Sequence, residues 1–320
     1  MKVLVMSKPG NFTPWADDFA RALGDGFEVA LWNSEKPFTE QVQGAIAVAD
    51  IGAPLSGSMI EEARDAGVQL WQMISAGYDQ LDLNSFRASG IPVANTPGQF
   101  SAPALAEHAL LLMLMLVRRF RQSQEQLADG VFFRSFGEEL AGKSLGLVGL
   151  GASGRELARI ARMLGMRVSA IDVVEIPPTM AAELGVRFLG GPEHLHDLVS
   201  DADFVSIHVP LTPDTQKMIG SECLAAMQPT AFLINVARGG IVDQPALVAA
   251  LADGRIGGAG LDVFEIEPLP ADDPIRAFDN VVLTPHVAGI TYPTSRRRGQ
   301  AAADNVRRVA AGREPQYVVT

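Results

Sequence analysis

The stretch Leu145-Gly146-Leu147-Val148-Gly149-Leu150-Gly151-Ala152-Ser153-Gly154 constrains the fold of this chain more than any other. It sets Gly149-x-Gly151-x-x-Gly154 between an apolar strand candidate at residues 144–148 and a helix candidate at residues 155–164. In that context Gly149 permits a tight turn, Gly151 lets a pyrophosphate approach the backbone, and Gly154 lets helix and strand pack closely. The helix N-terminus then faces the anion. Ala152 and Ser153 complete the loop as candidate cofactor contacts. Asp172 ends the next strand candidate, 18 residues after Gly154. A carboxylate there accepts hydrogen bonds from adenosine ribose hydroxyls and repels a 2′-phosphate. Val173 and Val174 follow it, with no Arg to receive such a phosphate, so the expected cofactor is NAD and not NADP.

A loop of this kind needs a parallel sheet around it. Short apolar runs alternate with helical patterns nearly throughout, as in βαβ units. Strand candidates lie at residues 2–6, 27–32, 45–48 and 70–74, with helical segments at 16–23 and 58–66 between them. A second series runs through 144–148, 167–171, 204–208, 231–235, 260–263 and 281–284. These runs are rich in Val, Ile and Leu on both faces, as strands covered by helices on two sides require. Residues 102–121 form the longest helical pattern in the chain, and residues 291–312 are helical and polar. The 122–137 segment clusters Phe132, Phe133 and Phe136, which suits a subunit interface and points to a homodimer through the 102–137 region. The length of 320 residues, with 48% hydrophobic and 20% charged, fits two globular domains.

Composition also excludes. A net charge of −11 argues against a nucleic-acid surface, and the basic run Arg296-Arg297-Arg298 reads as a solvated helix face. The most apolar stretch, residues 109–117, is nine residues long, whereas a membrane span needs about 20. The lone Cys223, read as a packed helix residue, requires no oxidising compartment. Met1 to Met6 run into Ser7-Lys8-Pro9-Gly10 as a strand and its turn, not as a signal peptide, and a cytoplasmic protein is expected.

The chemistry must come from groups that can meet the nicotinamide. His108 lies in the apolar helix and reads as structural; His194 and His196 sit in a polar segment; His208 ends a strand without an acid partner. His286, in Thr284-Pro285-His286-Val287-Ala288-Gly289, follows a strand at the sheet edge where α/β folds bind ligands. Two other post-strand segments reach the same edge: Asn235-Val236-Ala237-Arg238-Gly239-Gly240 and Gly260-Leu261-Asp262-Val263-Phe264-Glu265-Ile266-Glu267-Pro268. Arg238 offers a planar fork for a carboxylate, and a Glu paired with a His favours the imidazolium as a proton donor.

These segments together resemble the D-isomer-specific, NAD-dependent 2-hydroxyacid dehydrogenases. The resemblance spans essentially the whole chain. It also includes Ala76-Gly77-Tyr78-Asp79, Asn95-Thr96-Pro97-Gly98, Leu105-Ala106-Glu107-His108 and His208-Val209-Pro210-Leu211-Thr212. It implies two Rossmann-like, doubly wound parallel-sheet α/β domains with the active site in the cleft between them. A flavodoxin-like substrate-binding domain of residues 1–99 and 289–320 would surround an NAD-binding domain of residues 100–288. The implied catalytic triad is Arg238, Glu267 and His286; Glu267 is chosen over Glu265 because it directly precedes Pro268. Val209, Val236, Ala237, Arg238, Asp262 and His286 would contact the cofactor. Backbone amides around Ala76 and Gly77, with Arg238 and His286, would hold the substrate. One departure stands out: Ala152-Ser153 replaces the arginine and isoleucine the family often carries, which removes a possible pyrophosphate contact and leaves Arg155 nearby.

The implied reaction is reversible hydride transfer between a 2-oxo acid and a D-2-hydroxy acid, with no metal. Residues 51–57 and 72–75 hold no basic side chain, which disfavours a phosphorylated substrate. Glyoxylate, hydroxypyruvate and larger 2-oxo acids stay open, and no regulatory domain is expected after Thr320. The Glu–His pair disfavours formate oxidation, for which family members use Gln. The alternatives are a phosphoglycerate dehydrogenase-like enzyme and a non-enzymatic, NAD-sensing protein like the related corepressors.

Overall fold

Two parallel sheets organise the chain, and helices bury both faces of each. The computed structural model describes residues 1–7 and 13–320, so the turn read at residues 8–10 lies outside the described residues. The chain divides into two units, Met1–Phe100 with Ile290–Thr320, and Ser101–Gly289.

The first unit holds β1 (Lys2–Ser7), β2 (Glu28–Leu31), β3 (Ala45–Ile51), β4 (Leu70–Met73) and β5 (Val93–Ala94), in the order β2-β1-β3-β4-β5. That is the flavodoxin-like winding. The C-terminal helix Tyr292–Ala310 packs its Ala302, Ala303 and Val306 into the core of this unit. Gly299 makes this close: a Cβ there would lie 2.9 Å from Phe19 N, on the helix Thr13–Leu23. Arg296-Arg297-Arg298 is therefore only partly a solvated face. Arg296 is exposed, but the Arg297 Nε donates to Phe100 O at 2.8 Å and the Arg298 guanidinium lies 5.4 Å from the Trp15 ring centre.

The second unit holds β6 (Ser144–Val148), β7 (Arg167–Ile171), β8 (Val186–Gly190), β9 (Phe204–Ile207), β10 (Phe232–Asn235), β11 (Gly258–Leu261) and β12 (Val281–Leu283). Their order, β12-β11-β10-β9-β6-β7-β8, is the dinucleotide-binding winding with one added strand. All the ladders are parallel, so the C-terminal ends of these strands share one edge. The order reverses between β6 and β9, which opens a crevice at the end of β6. The expected α/β class with two doubly wound parallel sheets holds.

Two sequence expectations need correction. The helical pattern at 102–121 is not one helix and not the longest. Helix Ala102–Val117 ends, Arg119 takes a left-handed φ of 48°, and a second helix runs Phe120–Ala128. The cause is tertiary. Glu138 N returns to donate to Val117 O at 2.8 Å, and Arg121 Nη1 donates to the carbonyls of Phe278 and Val281. The longest helix is Tyr292–Ala310. Strands β5 and β8 have no counterpart among the expected strands. Cys223 is buried in the short helix Ser221–Ala226, in keeping with a packed helix residue, and burial pushes its thiol up to about 11.

Asp50, near the end of β3, is a buried acid in the first unit. Burial raises its carboxyl above the ordinary Asp value, against hydrogen bonds from Ala53 N, Trp71 Nε1 and Gly52 N. An acid with a raised folded-state pKa lends stability that is complete below the unfolded value and is lost as pH rises through the folded one. Relative to the native chain, Asp50→Asn should therefore fare better at pH 8 than at pH 4.5. The Tm of the variant, taken relative to that of the native chain, should be higher at pH 8 than at pH 4.5. Thermal melts at both pH values check this, and a pH-independent difference contradicts it.

Candidate active site

The glycine loop sits at the end of β6, on the edge where the sheet order reverses. Gly149 has φ +100°, and a Cβ on it would meet Val209 Cγ1 at 2.8 Å. A Cβ on Gly154 would collide with Gly149 O, so the helix Ala152–Met163 can press onto the turn only with glycine there. Gly151 differs: a Cβ there meets nothing within 4 Å. That free space beside the first turn of a helix, where N–H groups have no intrahelical partner, fits a pyrophosphate.

Asp172 follows β7 and braces this loop. Its Oδ2 accepts from Leu150 N at 2.7 Å and its Oδ1 from Val174 N at 2.9 Å, which leaves acceptor capacity on both oxygens for ribose hydroxyls. Arg155 does not replace the missing loop arginine as an outward contact; its Nε donates to Leu150 O at 2.8 Å and ties the loop to the helix. Ser153 bonds His208 Nδ1 at 3.0 Å, and Ser206 Oγ bonds His208 Nε2 at 2.9 Å. Enclosure pushes the His208 imidazole down to about 4, so it is a neutral strut under the loop near neutrality. The residues here fit a dinucleotide.

Farther along the same edge, Arg238, Glu267 and His286 follow β10, β11 and β12. A Cβ on Gly239 would overlap the Phe264 carbonyl, so this glycine lets the Arg238 turn sit directly on the Phe264 turn. Arg238 is fixed at its base: Asn235 Nδ2 donates to Arg238 O at 2.9 Å, and Arg238 Nη1 donates to Ala237 O at 2.8 Å. Glu267 Oε1 accepts from Phe264 N at 3.0 Å, and its Oε2 lies 2.7 Å from His286 Nδ1. Burial raises the Glu267 carboxyl, but the hydrogen bonds from His286 and Phe264, with the charges of His286 and Arg238, hold it below the ordinary Glu value. A carboxylate only accepts, so His286 Nδ1 carries a hydrogen and Nε2 is the nitrogen left for proton exchange. Glu265 turns elsewhere, with Oε1 3.3 Å from Lys217 Nζ.

His286 holds a left-handed φ of 55°. His tolerates that region better than most residues, and strain of this kind persists only where the surroundings over-determine it. Asp262 supplies the constraint. Its fully buried carboxylate accepts from Val287 N and Ala288 N, each at 2.8 Å, while His286 N donates to Asp262 O at 2.8 Å. Asp262, expected as a cofactor contact, thus holds the loop with its side chain. Val209, Val236 and Ala237 lie on the same rim, just past β9 and β10.

In the first unit, Ala76 and Gly77 follow β4 in a half-buried turn. Asn95 Nδ2 donates to Ala76 O at 2.8 Å, Thr96 N to Ser75 O at 3.0 Å, and Ser75 Oγ to Gly77 O at 2.8 Å. The carbonyls of Ser75, Ala76 and Gly77 are thus all engaged within the first unit. The sequence alone gives Asn95-Thr96-Pro97-Gly98 no role; the tether spans β4 and β5, which no local pattern shows. His194 and His196 are on the surface side of the second unit, and His194 pairs loosely with Glu193 and Asp197. Among the described residues, no helix is long and apolar enough to cross a membrane.

Residues 110–288 match the family described as D-isomer specific 2-hydroxyacid dehydrogenase, NAD binding domain. The chain is 36% identical over 305 residues to a glyoxylate reductase of Korarchaeum cryptofilum, covering 92% of this chain and 90% of that one. It is 35% identical over 295 residues to a D-3-phosphoglycerate dehydrogenase of Methanocaldococcus jannaschii, covering 91% of this chain but only 55% of the relative. In structure it resembles the TT0316 protein from Thermus thermophilus, with a TM-score of 0.84, 34% identity and full coverage of both chains.

Proposed function

The chain belongs to the D-isomer-specific 2-hydroxyacid dehydrogenase family, and on that premise we propose how its own residues carry the reaction. It is an NAD-dependent oxidoreductase that interconverts 2-oxo acids and 2-hydroxy acids. The observation that carries the mechanism is the 2.7 Å bond from His286 to Glu267, beside Arg238.

In the reducing direction His286 Nε2 donates the proton to the carbonyl oxygen. Glu267, ionised well below neutrality, stabilises the imidazolium before transfer and fixes the ring so that Nε2 faces the substrate. Arg238 clamps the carboxylate and polarises the carbonyl, which is positioning plus electrostatic stabilisation. The amides of Ala76 and Gly77 are read as backbone donors to a substrate carboxylate. NADH, when bound, supplies the hydride received at C2. The Gly149–Gly154 turn, Ala152 and Ser153 seat its pyrophosphate, Asp172 its ribose, and Val209, Val236 and Ala237 its nicotinamide side. In this reading residues 101–289 are the NAD-binding domain, and residues 1–100 with 290–320 the substrate-binding domain.

The absence of basic side chains from residues 51–57 and 72–75 supports a non-phosphorylated substrate such as glyoxylate, hydroxypyruvate or a larger 2-oxo acid. A homodimer through the 102–137 region is supported by exposed apolar side chains there, with Phe132 63%, Phe133 99% and Phe136 84% exposed. The free, buried Cys223 fits a reducing cytoplasm.

Glu267→Gln tests the pairing. The carboxylate's contribution is present above the ordinary Glu value and is lost only as pH falls through the lowered one. With a neutral amide the imidazolium loses its counter-charge at every working pH. The variant's kcat for 2-oxo acid reduction at pH 7 should be down about tenfold or more. A native kcat at pH 7 contradicts the pairing.

A further inference from the structure

His108 belongs to a motif that the reaction described above leaves without a task. It lies in the second turn of the helix Ala102–Val117, four residues before Leu112. Gly260 draws this helix onto β11, because a Cβ there would lie 2.8 Å from Leu112 Cβ. Residues four apart share a helix face, so the same approach brings His108 to the residue after β12. There His108 Nε2 lies 2.9 Å from Thr284 Oγ1 and 3.5 Å from Asp262 Oδ1.

The hydrogens in this cluster can be assigned. Thr284 Oγ1 has one proton and spends it on Asp262 Oδ1, 2.6 Å away. Toward His108 the hydroxyl can therefore only accept, so His108 Nε2 carries a hydrogen and donates it. Burial lowers the His108 pKa, against the opposing charge of Asp262, which leaves a neutral ring protonated on Nε2. The direction of donation is then fixed from end to end: His108 to Thr284, Thr284 to Asp262. The carboxylate at its end holds the Val287 and Ala288 amides, on the residues that directly follow the strained His286.

We propose that His108 is a positioning residue for the reaction: by donating to Thr284 it keeps the Thr284 proton on Asp262, and so keeps the carboxylate aimed at the loop that presents His286. The inference rests on the reading of His286 as the proton donor. It differs from a packing role in requiring an N–H at this position. Leucine fills similar space without one, whereas glutamine can place its Nε2 hydrogens near the same point.

The test compares His108→Leu, His108→Gln and Thr284→Val in the full chain. Steady-state kinetics with NADH and a 2-oxo acid substrate are joined to hydrogen exchange at the Val287 and Ala288 amides. In His108→Leu and Thr284→Val, kcat should fall about 10- to 100-fold, as expected when a reacting group is misplaced by about 1 Å. KM and NADH affinity should stay within about threefold, and exchange at both amides should quicken about tenfold or more. His108→Gln should restore kcat and protection to near native values. The double variant His108→Leu/Thr284→Val should be no worse than the worse single one, because both break one chain of bonds. Native kcat and protection in either single variant overturn the proposal, as does equal loss in the Leu and Gln variants. Failure of the native chain to reduce any 2-oxo acid would instead remove the reading beneath it, whereas amide exchange reports on the tether independently of turnover.

Discussion

Replacing His286 with glutamine should lower kcat for 2-oxo acid reduction by about 10³- to 10⁴-fold while NADH affinity changes by no more than a few-fold. The magnitude follows from losing the proposed proton donor, since general acid catalysis is worth about 10²–10⁴. Glutamine cannot be charged, so Glu267 has nothing to stabilise. The glycine loop and Asp172 lie at the ends of β6 and β7, remote along the sheet from β12, and should still seat the dinucleotide. The backbone matters to the design of this experiment. At φ 55° glutamine is less at home than histidine, whereas asparagine accepts that region readily. His286→Asn therefore repeats the test with the loop relaxed, and both variants should be equally inactive. Stopped-flow turnover and fluorescence titration with NADH would separate the two effects. Turnover retained within about tenfold in either variant contradicts the role.

Arg238→Lys should be nearly as damaging, with kcat/KM for the 2-oxo acid down about 10³-fold. The charge survives this exchange; the planar fork does not. Arg238 is anchored at its own carbonyl by Asn235, and its Nη1 is held on Ala237 O at 2.8 Å before any substrate arrives. A lysine ammonium can meet one carboxylate oxygen but cannot also hold the carbonyl, and removing one such donor typically costs about 10²–10³ in kcat. The rest of the loss should appear as a higher KM. NADH affinity should hold. A variant that keeps more than about one-tenth of native kcat/KM would show that charge alone suffices, against the proposed fork.

The parts legible in the sequence were those set by local patterns. β6 and β7 run where the sequence reading sets them, because Leu145, Leu147 and Val148 in one and Val168, Ala170 and Ile171 in the other form buried apolar runs. The glycines at 149 and 154 announced a turn that tolerates no side chain, and the closeness of Val209 and of Gly149 O gives the reason. β8 escaped notice because it is an edge strand with exposed Arg187 and Phe188, and β5 because two residues make no pattern. Nothing local ends the helix at Val117; Glu138 and Arg121 do so through partners far along the chain. The same holds for His108. Its apolar helix hid a bond to a threonine 176 residues away, and the tie from Asn95 to Ala76 crosses between strands. Arg297 and Arg298 looked solvated because a run of like charge normally is; Phe100 O and the Trp15 ring were out of sight.

The most direct measurement is turnover of NADH and NADPH by the purified chain across glyoxylate, hydroxypyruvate, larger apolar 2-oxo acids and 3-phosphohydroxypyruvate, with chiral analysis of the product. Asp172, followed by Val173 and Val174, leads to a higher kcat/KM with NADH than with NADPH. A D-2-hydroxy acid should form from at least one non-phosphorylated substrate, with the phosphorylated one the poorer. No turnover with any 2-oxo acid, or an L product, would contradict the dehydrogenase mechanism built on Arg238, Glu267 and His286, and the first of these would favour a nucleotide-sensing role instead.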